Sequence, residues 1–165
     1  MPTPEQPKRC VIADDVRASR EVLRSWLTDC HFECILAHDG DQAWEAIENH
    51  PPDLLITDIE MPHCCGLELL RRVRAASSAE IQSIPVLVIT SLHDSQIQPT
   101  IQRLGGNGLL TKPLDQYSTY VTVLAVLAPE TDQESFIVSD PDGKITGDGL
   151  VSPTFRRLLK PLSNS

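Results

Sequence analysis

The feature that most constrains this chain is a set of short, almost wholly apolar runs separated by segments of helical periodicity. Cys10-Val11-Ile12-Ala13 stops at Asp14-Asp15, Asp53-Leu54-Leu55-Ile56-Thr57 ends in Asp58, and Val86-Leu87-Val88-Ile89 ends in Thr90-Ser91. Strands this apolar are buried on both faces, as in parallel sheets with helices on either side. The segments between them are amphipathic. From Val16 to about Thr28, Val16, Ser19, Val22, Leu23, Trp26 and Leu27 share one face and Arg17, Arg20 and Arg24 the other. Phe32 to Ala37 reads as a second strand, and Asp41 to Glu48 as a helix that Pro51-Pro52 terminates. Leu67, Leu69, Leu70 and Val73 carry a third helix through Ala76.

A fourth helix is expected before Gly105. Pro99 lies within its span, so the helix should begin near Gln98 or be kinked, since proline fits only the first helical turn. Gly108 to Thr111 is a short fifth strand, and Leu114 to Ala128 a fifth helix. Five βα units in sequence define an α/β fold: a doubly wound, five-stranded parallel sheet with helices on both faces. In such sheets ligands bind outside the carboxyl ends of the strands, where the strand order reverses.

Those carboxyl ends carry the chemistry. Strand one ends in Asp14-Asp15, strand three in Asp58, strand four in Thr90, and strand five in Lys112. A parallel sheet brings all of these to one edge. Three crowded carboxylates repel one another, and a divalent cation resolves the conflict. Mg2+ takes a few carboxylates, retained waters and a phosphate. A carboxylate in that setting can attack phosphorus and form an acyl phosphate. Lys112 suits a phosphoryl oxygen as a point charge, and the Thr90 hydroxyl can donate to another. Taken singly each residue has a plainer reading: an Asp after a strand is often a helix cap, a Thr there reflects strand propensity, and a Lys before Pro is usually solvated. The combination on the correct strands is what points to phosphoryl chemistry.

The chain from about Lys8 to Ala128 resembles the receiver domain of two-component response regulators. The resemblance rests on Val11-Ile12-Ala13-Asp14-Asp15, on Asp58-Ile59-Glu60-Met61-Pro62 with Gly66 following, on Val86-Leu87-Val88-Ile89-Thr90-Ser91, and on Leu110-Thr111-Lys112-Pro113. It implies a flavodoxin-like strand order 2-1-3-4-5. It also implies that Asp58 is the phosphoacceptor, with a phosphohistidine on a histidine kinase or phosphotransfer protein as donor. Asp15 would ligate Mg2+ directly, Asp14 mainly through water, and Glu60 through its main-chain carbonyl. Lys112 would contact the phosphoryl group, with a cis bond to Pro113, and Thr90 would swing toward it on activation. The expected result is a signalling phosphoacceptor rather than a turnover enzyme, acting on a downstream protein through a surface near the fourth and fifth helices. That face is also where a homodimer is expected.

Three features depart from the family pattern. Ser91 replaces the usual Ala after the switch hydroxyl, Leu109 stands where Tyr or Phe is common, and Gly105-Gly106-Asn107-Gly108 makes a permissive loop. Leu109 and Pro99 keep open the alternative of a pseudo-receiver, an interaction domain that works without phosphorylation. An aspartyl phosphohydrolase is disfavoured, because the paired Asp-x-Asp motif it needs on the first strand is replaced by adjacent Asp14-Asp15.

Composition narrows the partners. The 165 residues carry a formal net charge of −9, which disfavours nonspecific nucleic-acid or anionic-membrane binding. No run reaches the roughly 18–20 apolar residues of a membrane span. Residues 1–7 are polar and Pro-rich with no apolar signal segment, so a cytoplasmic setting is expected. The five cysteines, at 10, 30, 34, 64 and 65, lack zinc-site spacing and are expected free.

Residues 8–128 are thus expected to form the receiver and 129–165 a C-terminal extension. In the extension, Phe136-Ile137-Val138 and Lys144-Ile145-Thr146 flank Asp140-Pro141-Asp142-Gly143, which suggests a small hairpin. Ser152-Pro153 suggests a cap for a short helix, Thr154 to Leu159. The Asp spacing does not fit a calcium loop, and too little chain follows for a complete output domain.

Overall fold

The computed structural model describes residues 3–128, 136–139 and 157–158. The elements run β1 (Lys8–Ala13), α1 (Arg17–Asp29), β2 (Phe32–Ala37), α2 (Gly40–Asn49), β3 (Leu54–Asp58), α3 (Gly66–Arg74), α4 (Ala79–Gln82), β4 (Val86–Thr90), α5 (Ile97–Arg103), β5 (Gly108–Thr111), α6 (Gln116–Leu127) and β6 (Ile137–Ser139). All paired strands are parallel, in the order β2-β1-β3-β4-β5-β6.

Strand periodicity divides the apolar runs between two cores. Ile12, Ile56, Leu87, Ile89 and Leu110 point to one side, where Leu23 and Leu27 of α1 and Val123 of α6 close over them. Val11, Leu55, Val88 and Leu109 point to the other, against Ile47 of α2, Leu67 and Leu70 of α3, and Ile101 of α5. A run apolar at every position is what two covered faces require, and β3 and β4 are buried at every residue.

Local signals set the helix ends. The Asp39 carboxylate accepts from Gln42 N and caps α2, and the Asp115 carboxylate accepts from Ser118 N and caps α6. Pro99 falls in the first turn of α5, which begins at Ile97, so the proline is accommodated without a kink.

Two expectations about elements are corrected. The helical turn α4 adds to the expected helices, because four residues are too few to show a period in the sequence. The expected fourth and fifth helices are therefore α5 and α6. The sheet also has six strands, not five. The sixth, Ile137–Ser139, lies parallel to β5, with Gly108 opposite Ile137 and Leu110 opposite Ser139. Lys144–Thr146 lies outside the described residues. Of the expected helix 154–159, only Arg157 and Leu158 are described, and both are helical.

The loop before β5 is held firmly despite its glycines. The Arg74 guanidinium, at the end of α3, donates to the carbonyls of Gln82, Ile84 and Gly105 and to Asn107 Oδ1 at 2.7–2.9 Å. Asn107 Oδ1 also accepts from Val86 N at 2.8 Å. One half-buried cation, solvated by carbonyl oxygens, thus ties α3, α4 and the β5 entrance together.

Candidate functional site

The carboxyl ends of β1, β3, β4 and β5 meet at one edge. Ala13 is opposite Thr57, Asp58 opposite Ile89, and Thr90 opposite Thr111, so Asp14, Asp58, Thr90 and Lys112 converge. Asp14 and Thr90 are fully buried and Asp58 nearly so, while Asp15 is exposed at the rim. The site is therefore an acidic floor with one solvent-facing carboxylate.

Lys112 Nζ bridges the floor. It lies 3.0 Å from Asp58 Oδ2, to which it donates, and 3.0 Å from Asp14 Oδ2. The Asp14 contact is ionic without an aligned hydrogen bond, so Asp14 Oδ2 is buried with no hydrogen-bond partner. Asp14 Oδ1 accepts from Val16 N at 2.9 Å, and its carbonyl accepts from the Arg20 guanidinium. The Arg20 contact departs from the sequence pattern, whose periodicity puts Arg20 on the polar face of α1. Nothing in the sequence marks a side chain that reaches back six residues to a carbonyl.

Charge is under-compensated here: three carboxylates face one ammonium. Burial pushes the Asp58 carboxyl up to about 6; Asp14 adds to the rise and Lys112 opposes it. Burial alone would lower Lys112, but the carboxylates of Asp58 and Asp14 outweigh it and hold the ammonium above its ordinary value. The site can therefore accept more positive charge than Lys112 supplies.

A hard divalent cation fits that deficit. Asp14, Asp15 and Asp58 each offer a carboxylate oxygen, all within 4.8 Å of one another. Among the described residues no other group of three or more His, Cys, Asp or Glu side chains is so placed. An all-oxygen set suits Mg2+, and Asp14 Oδ2, which has the Lys112 ion pair but no hydrogen bond, has coordination capacity to spare. Glu60 is half-buried beside the cluster, and its amide donates to Asp58 Oδ1 at 3.4 Å. Thr90 Oγ1 accepts from Leu92 N at 3.0 Å, and its neighbour Ser91 is exposed. The Lys112–Pro113 bond is cis.

The loop that carries Glu60 depends on Gly66. A Cβ at residue 66 would lie 2.0 Å from the Asp58 carbonyl oxygen. That close approach lets the first turn of α3 sit against the end of β3.

The cysteines stand apart from this chemistry. Cys10 and Cys34 are opposite one another on β1 and β2, and burial raises both thiols. Burial pushes Cys64 up to about 11 despite the nearby Arg72, and burial raises Cys65 as well. Thiols held protonated in this way are poor nucleophiles and poor metal ligands, and all five are free.

The fold and this edge together define a class. Residues 10–123 match the response regulator receiver domain family, and the chain belongs to it. It is 32% identical over 137 residues to the response regulator MprA of Mycobacterium avium, covering 81% of this chain and 58% of that protein. It is 29% identical over 168 residues to the Regulator of RpoS of Escherichia coli, covering 98% of this chain and 49% of that protein. The chain thus spans about half the length of the curated relatives it matches. Among solved structures, chemotaxis response regulator CheY4 of Vibrio cholerae superposes with a TM-score of 0.68 at 26% identity, over 73% of this chain and 99% of that one. A chain of the CheX–CheY–BeF3–Mg2+ complex of Borrelia burgdorferi gives 0.69 at 26% identity, over 74% and 90%.

Proposed function

We propose that Asp58 accepts a phosphoryl group from a phosphohistidine on a histidine kinase or phosphotransfer protein, and that the modified site switches a protein-binding surface. The observation that carries this reading is the arrangement of Asp58, Asp14, Asp15 and Lys112 at one buried edge, with less positive charge than its carboxylates call for.

In the transfer, an Asp58 carboxylate oxygen bonds to phosphorus. The phosphorus–nitrogen bond of the donor breaks, and its electron pair returns to the imidazole. Asp15 and Asp58, with Asp14 acting mainly through water and the Glu60 carbonyl, would hold Mg2+, which when bound offsets charge on the phosphoryl oxygens. Lys112 exchanges its contacts with Asp14 and Asp58 for a phosphoryl oxygen. The Thr90 hydroxyl turns from Leu92 N to donate to another. Hydrolysis reverses the modification: water attacks phosphorus, orthophosphate leaves and the carboxylate is restored. The chain returns to its starting state once per signal, so it acts as a switch and not as a turnover catalyst. A cytoplasmic setting accords with such a donor, and no described helix is long and apolar enough to cross a membrane. Self-association across α5 and α6 would have to accommodate β6, which lies on the β5 edge between them.

Intact mass after incubation with Mg2+ and acetyl phosphate tests the reading. The wild type should gain one phosphoryl group, and Asp58→Ala none. No adduct, together with no binding of beryllofluoride, would instead establish a pseudo-receiver.

Glu60, two residues beyond the phosphoacceptor, sets the lifetime of the product. Its amide faces Asp58 Oδ1, which keeps the residue next to the phosphorylated carboxylate, so Glu60→Asn should change the dephosphorylation rate several-fold, measured by the decay of the phosphorylated mass after donor removal. Equal rates would mean that the side chain is merely solvated.

A further inference from the structure

We infer that the outer edge of β5 is a strand-binding site that the chain fills with its own residues 136–139, and that phosphorylation of Asp58 empties it. This rests on the phosphoacceptor reading above.

Three observations bear on the occupied edge. First, β5 is shaped to receive a strand. Its leading residue is Gly108, where a Cβ would lie 3.0 Å from the Ile137 carbonyl oxygen and 3.1 Å from both Leu87 and Val126. A side chain at 108 would press on the incoming backbone. Second, the occupant is anchored on both the ladder and the core. Ile137 N donates to the Asn107 carbonyl at 3.1 Å, Phe136 packs against the core that contains Leu109, and Leu158 returns to that same core. Leu109, opposite Val138 in the ladder, is fully buried in that core. Third, the attachment is slight. It comprises three residue pairs and a long hydroxyl bond, Thr111 Oγ1 to the Ser139 carbonyl at 3.4 Å, and Val138 remains 38% exposed. A three-residue edge strand belongs to the low-stability end of a fold.

The link to Asp58 runs through Thr111. Thr111 is the register partner of Thr90, and the next residue, Lys112, donates its amide to the Thr90 carbonyl at 2.8 Å. Phosphorylation moves the side chains of both Thr90 and Lys112. Any adjustment of β5 is resisted on the β4 side by four residue pairs and on the β6 side by three. The outer ladder, with its 3.4 Å hydroxyl bond, yields first. Release leaves β5 with a free strand edge, a surface that takes an extended segment of a partner by strand addition.

Hydrogen exchange on the full chain, with and without Mg2+ and beryllofluoride, reads the occupancy directly. The Ile137 amide should lose at least tenfold in protection, while β1, β3 and β4 keep theirs. Ile137→Pro removes the donor to Asn107 and should leave 136–139 unprotected in both states. Because coupling is reciprocal, this variant should also hold a larger steady-state fraction phosphorylated under limiting acetyl phosphate. Thr111→Val, which deletes only the hydroxyl, should shift both readouts in the same direction by less. Intact mass on the same samples separates the two claims. An Asp58 adduct with unchanged protection at 137–139 would overturn the strand inference and leave the phosphoacceptor standing. Absence of any adduct would overturn both.

Discussion

In the presence of chelator, Asp58→Asn should be more stable than the wild type by about 2–3 kcal/mol at pH 8, with the difference vanishing near pH 3.5. The basis is the rise of the Asp58 carboxyl from 3.8 to about 6 on folding, caused first by burial and then by Asp14, against the opposing pull of Lys112. Between those values the folded chain binds a proton that the unfolded chain has released. Stability due to the neutral acid is therefore complete below about pH 4 and is lost as pH rises through about 6. Asparagine keeps the shape and never ionises, so it escapes that loss. Urea titrations at four or five pH values would measure the gap. A constant difference across the range would show that Asn stabilises by packing, and that the acidic site is not strained. Mg2+ should narrow the gap at pH 8, since a ligand that binds only the folded wild type stabilises it by mass action.

The strain is tolerable because the rest of the sheet is built from apolar runs with two covered faces, and those runs are also why so much was legible in advance. Five of the six strands, their parallel sense and the convergence of Asp14, Asp15, Asp58, Thr90 and Lys112 follow from where apolar residues stop and polar ones begin, while the strand order follows from the family resemblance. Pro99 could be placed for a similar reason, since proline tolerates one part of a helix. What stayed hidden depends on contacts between residues distant in sequence. Arg74 reads as one more solvated arginine on α3, yet it holds the carbonyls at three points along the chain. Phe136-Ile137-Val138 reads as one strand of a hairpin, because turn residues follow it closely; the pairing of Ile137–Ser139 with β5, across all of α6, leaves no local signature. Leu109 looked like a lost aromatic. The return of Phe136 and Leu158 to the core that holds it is visible only in the structure.

The same contrast between local pattern and tertiary contact sets the expected result for Gly66→Ala. Alanine is the better helix former by about 1 kcal/mol, so the sequence alone favours the change. The structure reverses the sign. The new Cβ would lie 2.0 Å from the Asp58 carbonyl oxygen, 2.8 Å from its carbon and 3.0 Å from Ile59 Cα, all backbone atoms that no rotamer change can move aside. Asp58 is fixed in the middle of the sheet, and Ile59 N donates to the Ile89 carbonyl at 3.2 Å, so α3 and the loop 60–65 must give way by more than an ångström. Overpacking against backbone belongs at or beyond the upper end of such costs, about 3 kcal/mol, which for a chain of this size lowers Tm by roughly 10 °C. The displaced loop also carries the Glu60 amide that bonds to Asp58 Oδ1. Misplacement by that distance at a reacting group costs on the order of 100-fold in rate. Phosphorylation by acetyl phosphate should therefore slow far more than the folded fraction falls. A variant with wild-type Tm would mean that α3 slides freely at its first turn. One that is destabilised but phosphorylated at the wild-type rate would mean that the loop carrying Glu60 does not position the acceptor.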